Sequence, residues 1–178
     1  VPQIKKIALK VKNEVNQGYK VIVVVSAMAG VTNNLIDLVK STSKSLNYSE
    51  YDVVLSTGEQ VTSALLASVL NNLNIKARSW LGWQVPIISD ESHSKAVIEE
   101  IKTDNIFKFL KKNQVAIISG FQGISKENRI TTLGRGGSDT SAVAMAAAFS
   151  AERCDIYTDV DGVYTTDPRI VKSAKKLD

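Results

Sequence analysis

The sequence predicts an α/β protein built around a mostly parallel sheet, and three observations support this fold class. Residues 20–25 and 115–119 each contain a continuous aliphatic run, as is typical of strands buried on both faces of a sheet. Helical patterns alternate with these runs along the chain. Small polar residues follow each run, at the strand ends where open α/β sheets bind their ligands.

The N-terminal elements are predicted from periodicity and from helix end signals. Apolar residues recur at helical spacing across 3–16, and Gly18 is expected to end that helix. The buried strand at 20–25 comes next. After the loop that follows it, Thr32 or Asn33 is expected to cap a second helix that runs to about residue 45.

The stretch around Ser56–Glu59 is harder to assign. Residues 51–55 are too few to distinguish a helix from a strand, and Gly58 suggests a break. Glu59 is therefore predicted to begin a third helix that ends near Leu73. An acidic side chain in a first helical turn is favourable by itself, so Glu59 has a structural explanation beside a functional one.

The second half continues the alternation of short strands and helices. Residues 95–102 fit either a strand or a helix, whereas the polar turn at 125–128 predicts an antiparallel hairpin. The remaining predicted elements are strands at 76–81, 85–89, 129–133 and 154–157 and helices at 105–112 and 138–152.

The segment Thr131–Ala142 is the strongest candidate for a binding loop. Three glycines surround Arg135, and an alanine-rich helix that opens with the capping residue Ser138 is predicted to follow. Such a loop directs backbone N–H groups at an anion, and an arginine adds a planar fork that suits carboxylate or phosphate. The alternative is a tight turn before a buried helix.

Composition limits the classes of partner. The chain has 178 residues, enough for one domain, and a net charge of +4 without a basic stripe of the kind that binds nucleic acid. We therefore expect no nucleic-acid partner. No continuous apolar run approaches the roughly 18 residues of a membrane span, so no membrane partner is expected either. Cys154 is the single cysteine, which favours a reducing compartment such as the cytoplasm.

Several other kinds of site are excluded by the residues themselves. Asp159 and Asp161 precede Gly162, but the remaining ligands of a calcium loop are missing. One histidine and one cysteine cannot form a structural zinc site, and no lysine follows the glycines as in a phosphate-binding P-loop. We therefore predict no protein metal site. His93 lies in a polar stretch and is interpreted as a surface residue.

Five motifs together resemble the aspartokinase family, in its order and spacing and across essentially the whole chain. The two longest are the most specific. The motifs are Val24–Met28, Ser56–Glu59, Gly120–Gly123, Thr132–Thr140 and Thr158–Arg169.

The resemblance implies the amino acid kinase fold, a three-layer α/β/α sandwich, and an enzyme that uses ATP and Mg²⁺. Such an enzyme transfers the γ-phosphoryl group to the β-carboxylate of L-aspartate, the first step toward lysine, threonine and methionine. By position, the aspartate and phosphoryl site would contain Ser26, Thr32, Glu59, Arg135, Ser138 and Asp139, with Arg135 and Asp139 as the catalytic pair. The nucleotide would be held by Thr158, Asp159, Tyr164 and Arg169.

The resemblance also implies features outside these residues. The family's lysine-bearing first strand would precede Val1, a second nucleotide-side lysine would follow Asp178, and regulatory modules would lie beyond it. Residues 1–178 are thus expected to be a partial catalytic domain, weak or inactive alone, of a homo-oligomeric protein. Two alternatives stay open: a non-catalytic nucleotide- or amino-acid-binding or assembly module, and a kinase of the same fold for another acidic substrate.

Overall fold

The computed structural model describes residues 2–42, 45–157, 165, 171 and 173–175. Within these residues, helices and strands alternate as the sequence predicts. The helices are α1 (Pro2–Asn16), α2 (Val31–Thr42), α3 (Tyr48–Asn72), α4 (Asp104–Leu110) and α5 (Gly137–Ala148). The strands are β1 (Ile22–Val25), β2 (Ala77–Trp80), β3 (Ile87–Ser89), β4 (Ile98–Ile101), β5 (Val115–Ser119), β6 (Gln122–Ile124) and β7 (Ile130–Thr132).

A three-stranded parallel sheet in the order β1-β5-β2 lies at the centre of the molecule. All five residues of β5 are buried, because helices cover both faces of the sheet. Val115 and Ile117 pack with α1 and α3, whereas Ala116 and Ile118 pack with α4 and α5. This alternation along one strand produces the predicted α/β/α layers.

A second, four-stranded sheet has the order β4-β3-β6-β7 and mixed strand directions. The predicted hairpin is confirmed, since β6 and β7 pair antiparallel. Residues 98–101 form a strand, which decides the open assignment there. Gln122 of β6 donates a side-chain hydrogen bond to the carbonyl oxygen of Ser56 in α3, at 3.0 Å. Helix α3 therefore connects the two sheets.

Helix α3 differs from its prediction because it is one continuous helix of 25 residues. It begins after Asn47, whose side chain accepts a hydrogen bond from the Ser49 N–H group. Gly58, predicted to mark a break, lies in its middle, where a Cβ atom would stand 2.8 Å from the Cβ atom of Ala27. The glycine therefore permits a close helix contact.

Length and composition alone would allow α3 to cross a membrane, with a mean hydropathy of 1.4 over its most apolar window. Half of that window is buried inside the protein. The helix also carries two buried carboxylates, Asp52 and Glu59. These features are those of a core helix that packs between two sheets.

The predicted strand at 154–157 is wrong, since these residues have no regular secondary structure. Ile156 and Tyr157 are 46% and 71% exposed, and the Tyr157 ring lies under the amine of Lys10, at 4.6 Å. Four residues are too few for their pattern to separate a buried face from an exposed one.

Candidate functional site

A cavity of about 270 Å³ opens at the carboxyl ends of β1 and β5 and at the start of α5. It is the position at which open α/β sheets bind ligands. Its lining residues are Ser26, Ala27, Thr32, Glu59, Phe121, Gly134, Arg135, Gly136, Gly137, Ser138 and Asp139. The structure thus brings together all six residues predicted for the aspartate and phosphoryl site.

The predicted nucleotide residues cannot be placed in the same way. Thr158, Asp159, Tyr164 and Arg169 lie outside the described residues. Three segments contribute residues to the cavity: 26–32, 120–123 and the glycine loop.

Glu59 provides a buried negative group at the cavity. It is only 3% exposed, and its Oε1 atom accepts a hydrogen bond from the Ala27 N–H group at 2.9 Å. Its Oε2 atom is buried without a hydrogen-bond partner in the part of the chain that the structure describes. Burial raises the pKa of Glu59 from 4.5 to about 7, although the Ala27 hydrogen bond acts to lower it.

The position of Glu59 in α3 corrects its structural explanation. The residue lies in the middle of a 25-residue helix, so an interaction with a helix N-terminus does not account for it. A buried carboxyl group with one unpaired oxygen is costly, and a cation or a hydrogen-bond donor would stabilise it. The site is therefore suited to a ligand that brings a positive group.

The turn after β1 presents the backbone of Ala27 to Glu59. Gly30 has a φ of 81°, and Val31 donates a backbone hydrogen bond to the carbonyl oxygen of Met28, at 3.0 Å. Helix α2 begins at Val31, so the predicted cap at Thr32 or Asn33 is wrong: both residues lie inside the first turn. The left-handed glycine makes this sharp entry possible.

The glycine loop ends in α5, and its first residues differ from the prediction. Gly136, with a φ of 73°, occupies the N-cap position, and Ser138 is the second residue of the helix, not its cap. Gly137 donates a backbone hydrogen bond to Gly134 at 3.1 Å, so Arg135 lies within a tight turn. The first N–H groups of a helix lack intrahelical partners and can bind an anion.

Arg135 is exposed and lines the cavity, and none of the ion pairs among the described residues includes it. Its guanidinium group is therefore available for an external anion. Glu59 and Arg135 give one small cavity a buried carboxyl group and an exposed cation. This arrangement fits a small ligand that carries both an ammonium and a carboxylate group.

Sequence reasoning missed Asp52, a carboxylate of α3 with no exposed surface. His93, interpreted as a surface residue, contacts it with its Nδ1 atom 2.8 Å from Asp52 Oδ2, and its side chain is only 18% exposed. The available signal was spacing: Asp52 precedes Glu59 by seven residues, which places both on one side of a helix. The expected break at Gly58 hid that relation.

Within residues 2–42, 45–157, 165, 171 and 173–175, no group of three or more His, Cys, Asp or Glu side chains could hold a metal ion. Asp139 is a carboxylate in the cavity wall, in the first turn of α5. A magnesium ion usually needs only one or two protein carboxylates when phosphate groups supply other ligands. The site therefore fits a metal that enters with a phosphate compound.

Comparison with known proteins gives a consistent result. The model of the amino acid kinase family matches residues 2–178. An aspartokinase from Rickettsia conorii is 56% identical over 99% of this chain and 45% of its own length. The chain spans about half the length of the curated relatives that it matches.

Solved structures agree with the sequence relatives. A crystal structure of aspartate kinase from Synechocystis matches with a TM-score of 0.78 and 46% identity, over 98% of this chain and 29% of that one. Aspartokinase III from E. coli, solved with aspartate and ADP, matches with a TM-score of 0.73 and 27% identity, over 88% of this chain and 46% of that one.

Proposed function

Because the chain belongs to the amino acid kinase family, we propose that the protein carrying it is an aspartate kinase. One oxygen of the L-aspartate β-carboxylate attacks the γ-phosphorus of ATP. The bond between that phosphorus and the β–γ bridging oxygen breaks, and ADP leaves. The product is 4-phospho-L-aspartate, and the step opens the route to lysine, threonine and methionine.

The observation that carries this proposal is the pair of opposite charges in one small cavity. Among the described residues, the buried Glu59 Oε2 atom has no hydrogen-bond partner and the Arg135 guanidinium group forms no ion pair. We assign Glu59 to the α-ammonium group of aspartate and Arg135 to its α-carboxylate. Ser26, Thr32 and Ser138 supply polar groups around the same ligand.

The chemistry needs no general base. The β-carboxylate of aspartate has a pKa near 3.9, so it is already ionised at neutral pH. The difficulty is to bring this anion up to a triphosphate, which requires positioning and positive charge. The α5 N-terminus and Arg135 supply both at the substrate end of the cavity.

ATP is the proposed phosphoryl donor, with Mg²⁺ bound to its phosphate oxygens. Asp139 is the carboxylate in the cavity wall that would hold this ion or orient the substrate's ammonium group. When bound, the ion neutralises charge on the phosphates. We further assign Thr158, Asp159, Tyr164 and Arg169 to the nucleotide, by their place in the family motif.

The proposal extends to the whole protein. Residues 1–178 would be part of the catalytic domain, and the complete gene product would be a cytoplasmic homo-oligomer. The match covers 99% of this chain and 45% of the Rickettsia conorii aspartokinase, which supports the proposal that residues 1–178 are part of a longer protein.

The test is an ADP-release assay on the complete gene product with L-aspartate, L-glutamate and D-aspartate in parallel. We expect magnesium-dependent turnover with L-aspartate, and formation of an acyl phosphate that hydroxylamine traps. Binding of ATP and aspartate without ADP release would instead indicate a non-catalytic module. Faster turnover with another acid would assign a different substrate.

A further inference from the structure

Asp52 accepts hydrogen bonds from two separate parts of the chain, the 93–94 segment and Thr132, at one buried carboxylate. Its oxygens accept from the Thr132 hydroxyl at 2.6 Å and from the Thr132 N–H group at 3.1 Å. They also accept from the Ser94 N–H group at 3.0 and 3.1 Å, while His93 Nδ1 lies 2.8 Å away. A charged group in this environment is stabilised by its donors, and the donors are fixed in return.

Both main partners of Asp52 adjoin the glycine loop. Thr132 is the last residue of β7 and lies two residues before Gly134. Ser94 has a left-handed φ of 68°. A Cβ atom on Gly134 would lie 3.1 Å from the carbonyl oxygen of Ser94. The Ala96 N–H group also donates to the Thr132 carbonyl oxygen, at 2.9 Å. The 93–96 segment and β7 thus fix the start of the loop together.

We infer that Asp52 is a positioning residue, which sets the glycine loop and therefore the place of Arg135 relative to Glu59. This inference rests on the proposed function. Asp52 and Glu59 are seven residues apart, about 10 Å along one rigid helix. Helix α3 therefore carries both Glu59, which binds the ammonium group, and Asp52, which positions the glycine loop that binds the carboxylate. The distance between the two charge-binding groups is set by one element, which favours the fixed spacing of the ammonium and carboxylate groups of an α-amino acid.

Two variants of the complete gene product test the inference. Asp52→Asn places an amide donor against the donors of Thr132 and Ser94, and Thr132→Val removes the hydroxyl group with little change of shape. Because each leaves buried donors or an acceptor unpaired, we expect the aspartate KM to rise about 10-fold or more. The ATP KM should stay within about 3-fold. Thr132→Ser, which keeps the hydroxyl group, should have the aspartate KM of the unmodified protein.

The matched control is Glu50→Gln, a carboxylate-to-amide change on the same helix whose partner is the exposed Arg129. Amide hydrogen exchange of residues 133–138, measured without substrates, should be faster in Asp52→Asn and Thr132→Val and unchanged in Glu50→Gln. The double variant with Asp52→Asn and Thr132→Val should raise the aspartate KM by less than the product of the two single fold-changes, because both substitutions disrupt the same contact.

The outcomes separate this inference from the proposed function. Equal rises in both KM values, or unchanged exchange at 133–138, would overturn the positioning role. If Asp52→Asn is insoluble, Thr132→Val and Thr132→Ser decide by the same criteria. If the unmodified protein does not phosphorylate aspartate, the proposed function fails, and the exchange measurements alone decide whether Asp52 orders the loop.

Discussion

Glu59 couples the charge of the cavity to the stability of the chain. Its pKa in the folded protein is about 7, raised by burial from an ordinary 4.5. Between these values the folded chain keeps a proton that the unfolded chain has lost, so the free energy of unfolding falls as pH rises from 4.5 to 7. Above pH 7 Glu59 is ionised in the folded and in the unfolded chain. The loss in free energy of unfolding then has its full value, at most about 3 kcal/mol.

Glu59→Gln should therefore remove this part of the pH dependence. The free energy of unfolding is measured by urea denaturation of the 178-residue chain at pH 5 and at pH 8. The difference between the variant and the unmodified chain should favour the variant more at pH 8 than at pH 5. The physical reason is that glutamine is neutral at both pH values. Parallel stability curves from pH 5 to 8 would contradict the raised pKa.

Arg135 provides the second prediction at this scale. Arg135→Ala should raise the aspartate KM of the complete gene product about 10- to 100-fold, because a charge-assisted, two-point contact is lost. The ATP KM should change much less. Arg129→Ala, which breaks an ion pair with Glu50, is the control and should leave both constants unchanged. Equal effects of Arg135→Ala on aspartate and ATP would reject the assignment.

The same residues show how far sequence reasoning extends. Ser26, Thr32 and Ser138 were assigned to the cavity through motifs, and they line it. The contact between Asp52 and Thr132 was not predicted, since it joins residues 80 positions apart. No local pattern encodes such a contact: the seven-residue spacing places Asp52 on the same side of the helix as Glu59, but it does not identify the partners of Asp52.

At the scale of elements, α3 determines how the site is assembled. Its central residue Gly58 lets the helix approach the turn after β1, where Ala27 donates its N–H group to Glu59. Alanine is the better helix former by about 1 kcal/mol, so propensity alone would favour a substitution. The contact overrides that preference, because an added Cβ atom would stand 2.8 Å from the Cβ atom of Ala27.

Gly58→Ala should therefore lower the melting temperature and raise the aspartate KM together. The added methyl group displaces the 26–28 turn and with it the hydrogen bond to Glu59. Ser68→Ala, at an exposed position of the same helix, is the control and should leave the aspartate KM unchanged. A Gly58→Ala variant that is more stable and binds aspartate normally would show that the contact relaxes without cost.

Elements were predicted well where burial is continuous and poorly where a local signal competes with a tertiary contact. The runs in β1 and β5 are long enough to identify buried strands. By contrast, Ser56–Gly58 resembles a loop, yet packing of α3 against two sheets keeps it helical. Ser138 resembles a cap, yet the left-handed Gly136 takes the N-cap position and the helix already begins at Gly137.

At the scale of the whole molecule, the core and the cavity are separate. Ile117 is fully buried on the α1 and α3 face of the central sheet, among residues from the C-terminal half of α3. The cavity lies instead at the carboxyl ends of the strands. The core residues that surround Ile117 are therefore not residues of the cavity wall, although helix α3 contributes to both.

Ile117→Ala tests this separation. The cavity it leaves should lower the free energy of unfolding of the 178-residue chain by about 2–5 kcal/mol. Val97→Ala, at a side chain that is 63% exposed, should cost much less. In the complete gene product, Ile117→Ala should leave the aspartate KM unchanged at temperatures where the variant stays folded. If the aspartate KM rose in step with the loss of stability, the geometry of the cavity would depend on core packing. The rigid helix α3 would then not be enough to set the distance between Glu59 and Arg135.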